Sequence, residues 1–545
     1  MRGISLPRTI IISFAAALAA GAGLVGAQPA PGASAASAAS PDSALAATLA
    51  GLPGEALPLE SSIAEALAQG TAMQIAAAQR AAAAGAARRE RGAFWPELFG
   101  EASTASDEQP TASFFSGADV LESETRQVTG GARLRLPTGT ELSASLNTVR
   151  STTNSDFALL SPQIDSFGEL AITQPLLKGF GPAARGELDA SGRERELAEA
   201  LYADARLAVI AELESTYWAL YAAERDYAVQ MLIAEQARVF LHEAKLRAEA
   251  GLGGPGSVAS ARAFLAQQSQ AVLDAEEQLD RVSDRLATLI GRRPQGSPRF
   301  RAVGEPPADF PAIGEEALVA LAGERNLALV AETKAVAAAR ARSRAAGWNA
   351  LPQLDAYGAL GGRGLGGTGR EVIVDFGSGP DTLRSTLDTG FGDTFDEVTG
   401  RDYPTWRWGL RLNVPLGGRD RGERDRLRAE LARAEAQFDA ARRALGEAVR
   451  AQHRELTRSE ARRALAADGV AASLEQVRIG LAEFSNGRST AFELVRLGAD
   501  LADAQRRYSA ALYRTARAAA ELRRLTGGAY PGPVTASTAT EEGAP

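Results

Sequence analysis

Side chains able to do covalent or metal chemistry are scarce in this chain. It has two histidines, His242 and His453, and no cysteine among 545 residues. Both histidines fall in charged stretches with helical patterning, which leaves almost no material for an imidazole catalyst or a His-rich metal site. Thiolate ligands, cysteine nucleophiles, disulfides and cysteine-linked lipids are excluded outright. One motif resembles phosphate chemistry: Gly362, Gly364 and Gly367 form G-x-G-x-x-G. A dinucleotide site needs that run to open a helix, with an acidic partner further on. The run leads instead into an acidic stretch, EVIVDFGSGPDTLRSTLDTGFGDTFDEV, which reads as a surface loop up to Asp402. Its carboxylates lack the spacing of a calcium loop. No catalytic residue, cofactor or metal ligand is assigned, and the chain is not read as an enzyme.

The remaining composition narrows the partners. Lys and Arg number 59 against 67 Asp and Glu, a net charge of −8, which argues against nucleic acid because phosphate neutralisation needs a cationic surface. A hydrophobic share of 45% is enough to bury a core. Arg2 and Arg8, an apolar run from Ile10 to Leu24 and the small residues before Gln28 form a secretory signal over 1–27, with cleavage expected after Ala27. No later stretch has the apolar length of a spanning helix, so a membrane location would have to be reached through strands.

The elements that would do so are duplicated. Arg185-Gly186-Glu187 recurs as Arg421-Gly422-Glu423, and the same offset carries Gly251 onto Gly487 and Gly291 onto Gly527 without a gap. Pro96 falls on Pro352, each following an Ala- and Arg-rich helix. The organisation expected is a low-complexity tether over 28–56, a first repeat over 57–291, a linker over 292–312, a second repeat over 313–527 and a disordered tail over 528–545. Each repeat holds a helix, then strands (93–177 and 350–416), then a helical hairpin (187–290 and 423–526). The long arm of each hairpin would extend about 96 Å at 1.5 Å per residue, a length that calls for coiled-coil packing. GLGGPGS at Gly251 to Ser257 and SNGRST at Ser485 to Thr490 supply turn chemistry at the hairpin tips.

Thr405 to Leu416, TWRWGLRLNVPL, sets Trp406, Trp408, Leu410 and Leu412 on one face and Arg407, Gly409, Arg411 and Asn413 on the other. Ala132 to Leu136 and Glu141 to Leu146 alternate in the same way around Pro137 to Thr140. Strands of this length with one apolar face and aromatic ends fit an outer-membrane barrel wall, which makes Trp406, Trp408, Leu410 and Leu412 candidates for lipid contact. Trp95 and Trp348, equivalent in the two repeats, are either an interfacial aromatic belt or packing at a helix-strand junction.

From about Leu57 to Gly527 the chain resembles the TolC-like family of outer-membrane efflux proteins. The resemblance rests on the duplicated arrangement, on LPQL at a strand entry, on ITQPLLKGFG and LNVPLGG at strand-to-helix transitions, and on LRAEAGLGGPGS and LAEFSNGRSTAFELV at the tips. It implies a mixed fold, a membrane β-barrel plus a long α-helical barrel, closed by trimerisation. It further implies a passive exit duct of a tripartite efflux or type I secretion system in the outer membrane of a Gram-negative-type cell, with a long periplasmic extension. Small molecules or polypeptides would pass, and the partners would be a periplasmic adaptor (membrane fusion) protein, an inner-membrane RND or ABC pump and outer-membrane lipid. The tip residues Gly251, Leu252, Gly254, Phe484, Gly487 and Arg488 are the candidate adaptor dock. Glu493 is the candidate pore carboxylate, or else a solvated helix charge offset by Arg496 one turn on. Where TolC has a second acid this chain has Arg496, so a doubly acidic ring is not expected. The alternatives are a periplasmic adaptor, which would have one hairpin between compact β-domains, and a structural coiled coil, which would not need TWRWGLRLNVPL. ARLRLPTGTELSASLN adds a strand, turn and strand to the family's usual four per copy. Pro137 to Thr140 is then either a periplasmic turn within a six-strand wall or part of a hairpin rising above the membrane.

Overall fold

The computed structural model describes residues 41–112, 116–251, 254–307, 309–375, 380–486 and 488–532, so the expected leader lies outside the described residues. In chain order the elements are α1 (Pro41–Ala50), β1 (Glu55–Leu57), α2 (Leu59–Gln69), α3 (Thr71–Gly92), β2 (Glu97–Pro110), β3 (Val120–Arg135), β4 (Glu141–Thr153), β5 (Leu160–Pro175), α4 (Pro182–Glu249) and α5 (Pro255–Ile290). The second half holds β6 (Phe300–Ala302), α6 (Glu315–Arg325), α7 (Leu327–Asn349), β7 (Gln353–Gly369), β8 (Glu371–Asp375), β9 (Pro380–Arg384), β10 (Asp388–Thr389), α8 (Phe391–Gly400), β11 (Tyr403–Asn413), α9 (Arg419–Ser485) and α10 (Ala491–Leu525). Packing divides them into a helical unit (up to Arg80, Glu199–Ala331, and from Asp439) and a sheet unit (Ala81–Ala198 and Glu332–Phe438).

The duplication is visible in matching contacts inside the helical unit. α5 ends at Gly291, left-handed at φ 88°, whose α-carbon side faces the carbonyl of Gln69; α10 is followed by Gly527, φ 63°, against the carbonyl of Arg325. A side chain at Gly527 would sit 2.2 Å from that carbonyl oxygen, so only glycine lets the return helix close on the entry helix. The core around Leu213, Tyr217, Leu220, Leu279, Leu286 and Phe300 packs the first repeat, and that around Leu318, Val449, Leu456, Leu522 and Tyr530 packs the second.

Three boundaries move. The stretch expected as a tether over 28–56 carries α1 and β1 from Pro41 on, and Leu45 packs with Val229, Ile233 and Ala502. Its alanines read as low complexity but are also the best helix formers, and a few leucines suffice to seat the helix. The expected linker 292–312 contains β6, which pairs in parallel with β1 at Ala56 opposite Arg301. At the other end order continues into the expected tail: Tyr530 is buried, and its hydroxyl donates to the carbonyl of Pro311 at 3.1 Å.

The sheet unit is built on one antiparallel sheet in the order β2, β3, β4, β5, β7, with β11 and the two-residue β10 sharing the far edge of β7. Its six long strands include β3 and β4, so the additional hairpin is part of the sheet. The turn between them lies at the helix end, where Gly139 (φ 93°) faces the carbonyl of Gly179, Gly181 N–H donates to Thr138 O at 3.0 Å, and Thr140 Oγ1 donates to Gln174 Oε1 at 2.6 Å. The glycine motif also finds its explanation here. Within the stretch that reads as a loop, α8 lies on β7 and β5, and side chains at Gly362 or Gly364 would meet the carbonyl oxygens of Val398 and Thr394 at 2.5 and 2.3 Å. The glycines admit a helix backbone onto the sheet.

Candidate functional site

Two places carry the residues singled out by sequence: the sheet faces and the hairpin tips. Strand register puts Leu98, Ala132, Ala144, Leu170, Leu360 and Trp406 opposite one another in a single row across all six strands. The next row toward the helices holds Leu134, Leu142, Ile172, Gly358 and Trp408. Because side chains alternate across a strand, these rows share one face. Trp406, Trp408, Leu410 and Leu412 lie on it with exposures of 71, 76, 67 and 65%. Sequence inspection finds the alternation segment by segment, on β11 and at Ala132 to Leu136 and Glu141 to Leu146, but not that these residues form one band, which only register assembles.

The other face is polar and cross-linked. Arg133 pairs with Glu97 at 3.6 Å and Arg407 reaches over β7 to Glu169 at 2.7 Å. Thr129 and Gln127 both donate to Asn147 Oδ1, at 2.8 and 3.0 Å. A sheet with one apolar exposed face and one polar hydrogen-bonded face can separate hydrocarbon from water. No described helix is long and apolar enough to cross a membrane. The equivalence of Trp95 and Trp348 does not survive folding, since Trp348 packs 6.0 Å from Phe180 while Trp95 stays exposed.

In the helical unit, α4 runs antiparallel along α10. Phe240 meets Phe492 at 6.1 Å, Gln236 fills the space beside Gly498, Asp226 pairs with Arg506 at 3.5 Å, and Glu214 pairs with Arg523 at 2.6 Å. That register brings both hairpin turns to the same end of the unit. At the first tip Gly251 takes φ 72° in open space and Gly254 caps α5 ahead of Pro255. At the second, Arg488 is exposed and its N–H donates to Glu483 O at 2.9 Å. Leu252 and Gly487 lie outside the described residues, as does the side chain of Phe484.

Glu493 has a structural duty. Thr490 caps α10 by accepting from Glu493 N–H at 3.2 Å, and Glu493 Oε2 accepts in return from Thr490 N–H at 3.0 Å and Ser489 Oγ at 2.8 Å. These donors, the Thr490 backbone first, hold its carboxyl below the usual range, so it is ionised at neutral pH. Glu493 and Arg496 are both exposed, and no ion pair joins them among the described residues. The capping box T-x-x-E is present in the sequence and marks the helix start. Farther along α4, Glu224 is pushed up to about 7 by burial, with the Ala302 N–H donating to it at 2.9 Å. No cluster of metal-binding side chains occurs among the described residues.

A family model described as outer membrane efflux protein matches residues 141–292 and 318–528. No curated protein sequence matches the chain. Solved structures with this fold include the outer-membrane channel OprN, 18% identical with a TM-score of 0.60, covering 87% of this chain and 90% of that one. The CmeC outer membrane channel of Campylobacter jejuni is 15% identical with a TM-score of 0.58, covering 88% of each chain. VceC, an outer membrane protein of Vibrio cholerae, is 17% identical with a TM-score of 0.58, covering 87% of this chain and 97% of that one.

Proposed function

The chain belongs to the outer membrane efflux protein family, and we propose that copies of it close into a homotrimeric duct whose strands line the outer membrane and whose helical hairpins extend through the periplasm. It is an exit duct and not an enzyme. In this reading the row from Leu98 to Trp406 faces lipid together with Trp408, Leu410 and Leu412, and the face of Arg133, Asn147, Glu169 and Arg407 lines water. The tips around Gly251, Gly254 and Arg488 dock a periplasmic adaptor, through which an inner-membrane RND or ABC pump supplies the energy. Glu493 stands near the constriction, and small molecules or polypeptides pass without covalent chemistry.

The observation that carries this is the two-faced, six-strand sheet: its apolar row runs to both edges, and among the described residues neither edge has a strand beside it. Unpaired edges have no hydrogen-bonding partner in hydrocarbon, so such a sheet must be closed by further copies. The test is cell fractionation with gel mobility before and after heating, then reconstitution into a planar bilayer. Outer-membrane recovery of a heat-modifiable multimer that conducts ions is expected. A soluble periplasmic chain without conductance would sink the reading.

A further inference from the structure

We propose that the seam between copies joins β11 of one to β2 of the next, so that the wall has eighteen strands, six from each of three copies. This rests on the trimeric duct proposed above and departs from the four strands per copy of the resemblance. Three observations on the sheet carry it.

The first is direction. The sheet is antiparallel throughout, and six is an even number, so its two edges, β2 and β11, run opposite ways. A second copy set beside the first by rotation continues the pattern without a parallel joint. The second is that these strands are exposed at nearly every position on both faces and each is paired on one side only among the described residues, whereas β4, which would form the seam if β2 and β3 stood outside the wall, is already paired on both sides by β3 and β5. Charge is the third. On the polar face β2 presents Glu101 beside Glu97, which pairs with Arg133, and β11 presents Arg411 beside Arg407, which pairs with Glu169, so Glu101 and Arg411 carry the complementarity of the two edges.

Barrel closure also sets the register. A strand tilt of about 40° in an eighteen-strand wall slides each copy by roughly six to eight residues relative to the last. Sliding one way pushes β11 past the start of β2 at Glu97 and leaves nothing to pair with. Sliding the other way sets Tyr403–Asn413 along β2, with Leu410 opposite Gly100 or Ala102 and Arg411 opposite Phe99 or Glu101, apolar face on apolar face. Such a wall has a radius of about 18 Å, against about 12 Å for twelve strands at the same spacing and tilt.

The chain has no cysteine, so introduced thiols are the only ones present. Leu410→Cys is combined in full-length protein with Gly100→Cys or Ala102→Cys on β2, and separately with Ala144→Cys or Leu146→Cys on β4, and membranes are oxidised. Covalent multimers are expected from one of the β2 pairs and from neither β4 pair. Multimers from a β4 pair would overturn the proposal by placing the β2 and β3 hairpin outside the wall. Electron cryomicroscopy of the unmodified assembly decides independently of disulfide geometry: eighteen strands support the seam, and twelve refute it. An outer-membrane multimer with twelve strands defeats only this inference, whereas absence from the outer membrane defeats the duct itself.

Discussion

If the row through Leu360 meets lipid, the cost of an arginine should depend on depth in a way the register lets one calculate. Leu360 stands opposite Trp406, and Leu354 opposite Leu412, so the two rows are six residues apart along β7. That is about 20 Å of strand, or about 15 Å along the membrane normal at a tilt near 40°. The apolar band of such barrels is about 25 Å tall, and α8, seated on the same face over Gly362 and Gly364, bounds it on the outer side, so its middle lies near the row of Gly358 and Trp408, about 5 Å from Leu360 and Leu410 and about 10 Å from Leu412. Leu360→Arg and Leu410→Arg should then each cost about 2–4 kcal/mol per copy, and Leu412→Arg, near the rim, about 0–1. A cost of about 2–4 kcal/mol lowers an assembly equilibrium by about 30-fold or more. The measurement is the fraction of each variant recovered from outer membranes as the heat-modifiable multimer. Asn413→Arg, on the polar face beside Arg411, is the control and should assemble normally. Equal recovery of Leu360→Arg and wild type, or Leu412→Arg proving the more damaging, would refute the assignment of this face to lipid.

At the second tip, Glu493→Gln separates charge from capping, because glutamine can keep the reciprocal bond to the Thr490 N–H. Cation preference in a planar bilayer should fall while thermal stability holds; unchanged preference would leave Glu493 with the capping role alone. Glu224, raised by burial from an ordinary 4.5 to about 7, adds nothing against folding below pH 4.5 and opposes it increasingly as pH rises through 7. The loss amounts to about 3 kcal/mol at most. Thermal unfolding tracked by circular dichroism should therefore show stability declining between pH 4.5 and 7, and Glu224→Gln should flatten that slope; an identical slope in the variant would show that another group is responsible. Gly364→Val would drive a side chain into the Thr394 carbonyl. Hydrogen exchange across Phe391–Gly400 should accelerate while that of β4 is unchanged, and equal protection of α8 in the variant would mean that the glycine is not what seats it.

The features legible in the sequence are those that repeat or alternate within one segment. The breakpoint at Gly291 and Gly527 survives the duplication because each glycine ends a helix in the left-handed region against a carbonyl, that of Gln69 and that of Arg325, and at Gly527 the approach leaves no room for a side chain. The stripe on β11 is legible for the same reason: its period is local. Features that depend on partners distant in the chain escape. Gly362 and Gly364 look like a phosphate loop until α8, some 30 residues later, folds back over them, and Ala-rich α1 looks like a tether until Leu45 meets Ile233 and Ala502. Glu493 carries two local readings. T-x-x-E marks a helix start and an acid near a turn also suits a pore, and the bonds its carboxylate accepts from the Thr490 N–H and Ser489 Oγ show that it serves the first. The additional hairpin lies between these cases. Its alternation is plain, yet alternation is the same for a strand in a wall and a strand above it. Pairing of β3 with both β2 and β4 makes the hairpin part of the sheet, and the proposed seam would take its next strand at the open edge of β2.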